Sequence, residues 1–399
     1  MTAGKKVVLG VTGGIAAYKA AELVRMLVKR QISVKVIMTA HAREFITPLT
    51  FQVLSGNPVF SDLFSREHYD MNHISLAAYG DALVIAPATA NIIGKMAAGI
   101  ADDLLSTVLL ATGAPVIVCP AMNDGMYAHP VVQENIAVLQ GRGIHFVSPG
   151  YGELACKTTG AGRLADLEEI VAAIETAWTE KDLVGETIMV TAGPTREPFD
   201  PVRFITNYSS GKMGYALATM ARRRGAEVVL VSGPAVLPVP SGVEYVSVST
   251  ALEMRDAVMA HLDRATVVIK AAAVADYRPA VRADNKIKKR QGPLTLRLER
   301  NPDIIAEIGA RKGERVLVGF AMESENLLAN ARKKLFAKNM DLIVANDLHQ
   351  AGAGFQCDTN IIKILDPQGG IEELPLMDKL AVADRILDRV KGLLDAGKR

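Results

Sequence analysis

Two stretches of this sequence collect side chains that do chemistry. In the first, His73 stands in Met71-Asn72-His73-Ile74-Ser75, a segment expected to open a short helix. An imidazole beside the positive end of a helix sheds its proton more readily, which suits a general base. A solitary histidine is more often a surface residue with no chemical task. Asn123 follows Cys119-Pro120-Ala121-Met122, where a side-chain amide can grip a substrate carboxylate; a turn-forming asparagine is the commoner reading. Cys156 lies in Gly150-Tyr151-Gly152-Glu153-Leu154-Ala155-Cys156-Lys157-Thr158-Thr159-Gly160-Ala161-Gly162, a run of small residues expected to form a mobile lid. Lys157 would tune the acidity of that thiol. Cys119, inside Val116-Ile117-Val118-Cys119, reads as a packing residue.

In the second stretch, Asn207-Tyr208-Ser209-Ser210-Gly211-Lys212-Met213-Gly214 tempts a Walker reading through Gly211-Lys212. That pattern requires glycine where Thr206 stands and Ser or Thr where Met213 stands, so it fails. Ala271-Ala272-Ala273-Val274-Ala275-Asp276-Tyr277 has side chains small enough for a backbone to approach a ligand closely. Asp276 suits a nucleotide, a Mg²⁺ ion or merely a turn cap. Lys286-Ile287-Lys288-Lys289-Arg290 concentrates cations that would neutralise a triphosphate or a leaving pyrophosphate, although a bare charge run is usually a solvated loop. Lys334 and Lys338 are spaced to share one helical face and one anion.

Positioning these groups requires an ordered framework, and the apolar pattern supplies one. Val7–Val11, a Gly13-Gly14 turn, a helix over Ala16–Lys29 and a strand at Val34–Met38 make a strand-helix-strand unit. Strands at Ala82–Ala86 and Pro115–Cys119 extend it, each ending in a turn of the kind at which open parallel sheets bind ligands. After a helix around Leu167–Thr179 the pattern restarts, with strands at Thr187–Thr191, Glu227–Val231, Thr266–Ile269, Val316–Gly319 and Leu342–Val344. The expected fold is α/β: two tandem doubly wound, Rossmann-like domains, residues 1–182 and 186–399. The Gly turn into the first helix suits a phosphate. The strand ending Met38-Thr39-Ala40 lacks the acid that holds a dinucleotide ribose, so a mononucleotide such as FMN fits better than NAD.

Composition bounds the remaining classes. The 399 residues carry 45 Lys+Arg against 43 Asp+Glu, are 49% hydrophobic and 22% charged, and so read as globular. A formal net charge of +2 gives no reason to expect nucleic-acid binding. The basic excess falls in residues 183–399, a mild bias toward anionic ligands there. No apolar run approaches the roughly 18 residues of a membrane span. The start, Lys5-Lys6-Val7-Val8-Leu9-Gly10, reads as a strand entering a turn rather than a signal peptide. Three widely separated cysteines give neither a disulfide framework nor a zinc site, and suit a reducing cytoplasm.

Taken together, the motifs resemble the bacterial bifunctional phosphopantothenoylcysteine decarboxylase and phosphopantothenate–cysteine ligase of coenzyme A biosynthesis. The resemblance rests on Thr12 to Ala16, His73, Ala86 to Asn91, Ala98 to Thr107, Pro120 to Asn123 and Cys156. Downstream it rests on Thr191 to Glu197, Asn207 to Gly214, Ala271 to Tyr277, Lys286 to Lys289 and Asn301 to Ile304. It implies FMN beside Gly14, Ile15, Thr39, Thr89, Ala90, Asn91, Ser106 and Ala121. His73 becomes the base, Asn123 the holder of the substrate carboxylate and Cys156 the proton donor. It implies an acyl-cytidylate made from CTP and 4'-phosphopantothenate, stabilised by Asn207 and Lys286 and opened by cysteine. Asp276, Pro302, Asp303, Ile304, Ile305, Phe320, Lys334 and Lys338 would join Lys286 around the nucleotide, with Mg²⁺ on the phosphates and its ligands unassigned. A homo-oligomer, up to a dodecamer, is implied as well. Two rivals stand beside this reading: an NAD(P)-dependent dehydrogenase, which leaves the missing ribose acids and the Lys286 cluster unexplained, and a non-catalytic flavin-binding regulator, against which His73 and Cys156 speak.

Overall fold

The computed structural model describes residues 4–64, 72–155, 157–288, 293–323, 326–347 and 357–397. The chain divides into two compact units, Met1–Thr179 and Glu180–Arg399. In the first, apolar runs form six strands: β1 (Lys6–Val11), β2 (Ser33–Met38), β3 (Val59–Phe60), β4 (Ala82–Ala88), β5 (Val116–Pro120) and β6 (His145–Phe146). They pair in parallel in the order β3-β2-β1-β4-β5-β6. Alternation along β1 sends Val7, Leu9 and Val11 into a layer with the helices Ala17–Lys29 and Leu167–Trp178. Val8 points the other way, toward the helices Asn72–Tyr79 and Leu104–Ala111. The helix Ala17–Lys29 carries Ala20, Leu23, Val24 and Leu27 on its buried stripe. Strand order reverses between β1 and β4, which opens a crevice at their carboxyl ends. An antiparallel hairpin, β7 (Gly150–Glu153) and β8 (Thr159–Arg163), stands apart from the sheet.

The second unit contains β9 (Thr187–Ala192), β10 (Arg196–Pro198), β11 (Phe204–Thr206), β12 (Glu227–Ser232), β13 (Glu244–Ser247), β14 (Val267–Lys270), β15 (Tyr277–Pro279), β16 (Leu298–Arg300), β17 (Val316–Glu323), β18 (Leu342–Asp347), β19 (Thr359–Leu365) and β20 (Ile371–Asp378). Its main sheet runs β13-β12-β9-β14-β17-β18-β19-β20. The first six strands are parallel and repeat the order of the first unit; β19 and β20 are antiparallel, so the sheet is mixed. An antiparallel pair needs only a short turn, and Gly369 at φ 93° supplies it. The helices Lys212–Arg223 and Lys379–Gly397 cover one face. Residues 182–186 are built into this unit: Arg224 pairs with Asp182 at 2.5 Å and, across to the last helix, with Asp384 at 3.0 Å and Asp388 at 2.7 Å. Among the described residues no helix is long and apolar enough to cross a membrane.

Candidate functional site

Thr12 stitches the two strands that flank the first crevice. Its hydroxyl donates to the Pro87 carbonyl at 2.7 Å and accepts the Thr89 N–H at 3.1 Å. A Cβ on Gly13 would stand 2.3 Å from Cβ of His41, so only glycine lets these loops approach. A Cβ on Gly14 would meet only the Thr89 methyl, at 3.8 Å, which leaves open ground between the loops. The helices Ala17–Lys29 and Ala90–Ala98 both start here without a side-chain cap. Their first-turn N–H groups and positive dipole ends suit a phosphate. Gly14, Ile15, Thr39, Thr89, Ala90, Asn91 and Ala121 all stand just beyond β1, β2, β4 or β5. Ile15 is 60% exposed, an apolar side chain fit to meet a ring face. Ser106 differs: it is buried, and its hydroxyl is engaged with Asp103 in the capping box of Leu104–Ala111. Thr39, where a dinucleotide fold would carry its acid, accepts the Ala42 N–H.

Asn123 belongs to the turn after β5. Its Oδ1 accepts the N–H groups of Gly125 at 2.9 Å and Met126 at 3.4 Å, capping the short helix Asp124–Tyr127. The amide is thereby oriented, with its donor nitrogen as the half suited to a carboxylate. His73 is partly buried near the start of Asn72–Tyr79, a helix that runs back toward the start of β4 and so begins on the side of the sheet's carboxyl edge. The segment expected as a mobile lid is a hairpin fastened to the Asn123 turn. Met122 donates its N–H to the Gly162 carbonyl at 2.9 Å, and the Thr158 hydroxyl donates to Asp124 at 3.0 Å. A Cβ on Gly160 would lie 2.6 Å from Cβ of Asp124, and one on Gly162 would lie 2.2 Å from the Met122 carbonyl oxygen. The small residues serve close approach rather than flexibility. Cys156 lies outside the described residues; its neighbours Ala155 and Lys157 belong to the hairpin's tip, where Lys157 has φ 65°. Cys119 is fully buried, and burial pushes its thiol far above the ordinary range, as a packing residue requires.

In the second unit the order reverses between β9 and β14, and the chain beyond them is zipped together. Ala273 donates its N–H to Gly193 at 2.9 Å, and Ala275 donates to the Thr195 hydroxyl at 3.0 Å. Asn207 joins this strip, its Nδ2 donating to the Ala273 carbonyl at 3.1 Å. Lys212 pairs with Asp358 at 2.7 Å, in keeping with the failed Walker pattern. Past β14 opens a cleft of about 400 Å³ whose walls include Lys270, Asp276, Pro302, Asp303, Ile304 and Lys338. Asp303 and Lys338 are paired at 2.9 Å; burial resists ionisation of Asp303, but Lys338 and the Ala306 N–H hold its carboxyl below the usual range. Lys334 lies one turn earlier, exposed, on the helix Leu327–Ala337. Ile305 is buried, and Phe320 on β17 packs against the core.

Lys286 is not among the cleft's walls. It is exposed, on a segment tethered elsewhere: Asp200 accepts the Ile287 N–H at 3.2 Å, and Arg203, paired to Asp200 at 2.5 Å, donates to the Ile287 carbonyl at 2.7 Å. Lys289 and Arg290 lie outside the described residues. The cation that sequence reading missed is Lys270. It ends the apolar run Val267-Val268-Ile269, and its companions in the cleft are remote in the chain. Burial first, then Lys338, bring its pKa down to about 8. Among the described residues no three His, Cys, Asp or Glu side chains gather to hold a metal ion.

Comparison with known proteins agrees with this two-part plan. A flavoprotein family model matches residues 1–179, and a model for the DNA/pantothenate metabolism flavoprotein C-terminal domain matches residues 183–393. The "Coenzyme A biosynthesis bifunctional protein CoaBC" of Bacillus subtilis (strain 168) is 50% identical over 398 residues, 98% of either chain. Its namesake in Escherichia coli (strain K12) is 48% identical over 403 residues, 100% of this chain and 99% of that one. A crystal structure of the C-terminal domain of a protein of that name is 44% identical with a TM-score of 0.48, covering 54% of this chain and 100% of that one. Identity of this order along the whole length places the chain in a family: it belongs to the bifunctional coenzyme A biosynthesis enzymes that join a phosphopantothenoylcysteine decarboxylase to a phosphopantothenate–cysteine ligase.

Proposed function

We propose that the second unit condenses 4'-phosphopantothenate with cysteine at the expense of CTP, and that the first unit, with FMN at its β1/β4 crevice, decarboxylates the product to 4'-phosphopantetheine. One observation supports the reading: two sheets of like order each reverse once, between β1 and β4 and between β9 and β14, and each reversal leaves a crevice suited to one of the two reactions. In ligation the substrate carboxylate attacks the α-phosphorus of CTP and expels pyrophosphate. The amine of cysteine then attacks the acyl carbon of the acyl-cytidylate and CMP departs. Asn207, anchored on Ala273, steadies the acyl-cytidylate, and Lys286 offsets charge on the transferring phosphate. Asp276, the Pro302–Ile305 turn, Phe320, Lys334 and Lys338 hold the nucleotide, whose phosphates bring Mg²⁺.

For decarboxylation, FMN when bound would take two electrons from the cysteinyl thiol, so that the oxidised substrate can accept the electron pair that carbon dioxide leaves behind, and would return them afterwards. The residues of the chain do the rest: the uncapped helix starts hold the cofactor's phosphate, His73 takes a proton, the Asn123 amide donates to the substrate carboxylate, and Cys156 returns a proton to carbon. Leu49 and Val53, 66% and 73% exposed on the helix Pro48–Ser55, support a homo-oligomer, and the free thiols support a reducing cytoplasm. Mass spectrometry of the products from 4'-phosphopantothenate, cysteine and CTP tests both steps. The expected products are 4'-phosphopantetheine, CMP and pyrophosphate. Accumulation of phosphopantothenoylcysteine by a colourless protein that retains no FMN would remove the assignment of the first unit.

A further inference from the structure

The geometry points to Lys270 as an additional phosphate-binding residue of the ligase cleft, donating from its ammonium to a phosphoryl oxygen of a ligand seated between β14 and the Pro302–Ile304 turn. This rests on the ligase reading and extends it to a side chain that reading does not use. Lys270 lines the same cleft as Asp303 and Lys338. The charge of Lys338 is already answered by Asp303 at 2.9 Å, and Arg278 beside the cleft is answered by Glu299 at 2.6 Å. Among the described residues the ammonium of Lys270 has neither a hydrogen-bond nor an ion-pair partner. Lys338 and Lys334 repel it, Asp303 and Asp276 attract it at longer range, and burial dominates. A half-buried cation without a partner is a cost to the fold and is retained where a ligand completes it. Two anions of the reaction carry phosphoryl oxygens, CTP and 4'-phosphopantothenate.

The test is steady-state kinetics of pyrophosphate release with the full-length protein, varying each substrate in turn. Lys270→Gln should raise one KM roughly tenfold or more, as loss of a charge-assisted hydrogen bond does, with kcat changed far less. A rise for CTP names the nucleotide as the source, and a rise for 4'-phosphopantothenate names the acyl substrate. Its melting temperature should hold or increase, because an unpartnered half-buried charge has gone; a merely structural lysine would lower it. Lys270→Arg should restore the KM. Because the ammonium loses its proton as pH rises through about 8, the wild-type KM should climb between pH 7 and 9 and that of Lys270→Arg should stay flat. This comparison serves even if Lys270→Gln fails to fold. Unchanged KM values for both substrates in Lys270→Gln, or equal pH slopes in wild type and Lys270→Arg, overturn the inference while leaving ligation intact. Absence of pyrophosphate release from the wild type overturns the ligase reading itself.

Discussion

A single hydroxyl group ties the rim of the β1/β4 crevice. Thr12 is 2% exposed and its Oγ1 serves both strand ends, as donor to Pro87 and acceptor from Thr89. Thr12→Val keeps the shape and removes both side-chain bonds, leaving the Thr89 N–H without this partner and the Pro87 carbonyl with only the longer bond from the Thr12 N–H at 3.4 Å. The expected loss is about 1–3 kcal/mol of stability, measured as a lower melting temperature and weaker retention of FMN by absorbance after gel filtration. Thr12→Ser should restore both. A variant as stable and as yellow as wild type would show that β1 and β4 keep their spacing without the stitch. Sequence reading reached the Gly13-Gly14 turn that Thr12 precedes, since turn chemistry is local, but not the bonds of the Thr12 hydroxyl to residues 75 and 77 positions away. Lys270 escaped it for the opposite reason: a lysine closing an apolar run looks like the end of a strand, and only the folded chain brings Asp303 and Lys338 to it. Asp200 and Arg203, which tether the backbone beside Lys286, were hidden in the same way, 87 and 84 residues from Ile287.

The hairpin of β7 and β8 shows how composition misleads about an element. Glycines at 160 and 162 read as slack, yet each marks a place where the hairpin presses on the Asn123 turn. Gly162→Ala would drive a methyl group into the Met122 carbonyl and displace the hairpin tip from Asn123. Decarboxylation of supplied phosphopantothenoylcysteine should fall by up to about 10²-fold, the scale that an ångström of misplacement produces. FMN content and pyrophosphate release should be unaffected. An equal fall in pyrophosphate release would mean that the change acts beyond the hairpin. Central strands were legible because β-branched runs such as Val267–Ile269 and Val228–Val231 bury both faces. The edge strands β3 and β6, two residues each, carry no such run. The β19 and β20 strands pair antiparallel, so the rhythm of parallel units that revealed the rest of the sheet does not contain them.

At the scale of the whole chain, each unit has its own sheet and its own pair of apolar layers. Damage to one site therefore leaves the sheet and apolar layers that position the other unchanged. Lys286 is exposed and its neighbour Ile287 is held through backbone atoms, so Lys286→Gln removes a charge without removing the tether. Ligation should drop at least a hundredfold, as loss of a transition-state electrostatic contact does, while decarboxylation of supplied phosphopantothenoylcysteine continues at the wild-type rate. Cys156→Ser should do the converse: pyrophosphate release persists, and 4'-phosphopantetheine does not form. The two variants mixed in one tube complete the argument. Lys286→Gln supplies working decarboxylase sites and Cys156→Ser supplies working ligase sites, so the mixture should make 4'-phosphopantetheine from the three substrates although neither variant does so alone. If both variants lost both activities without unfolding, or if the mixture stayed silent, the division of labour between the two sheets would be wrong.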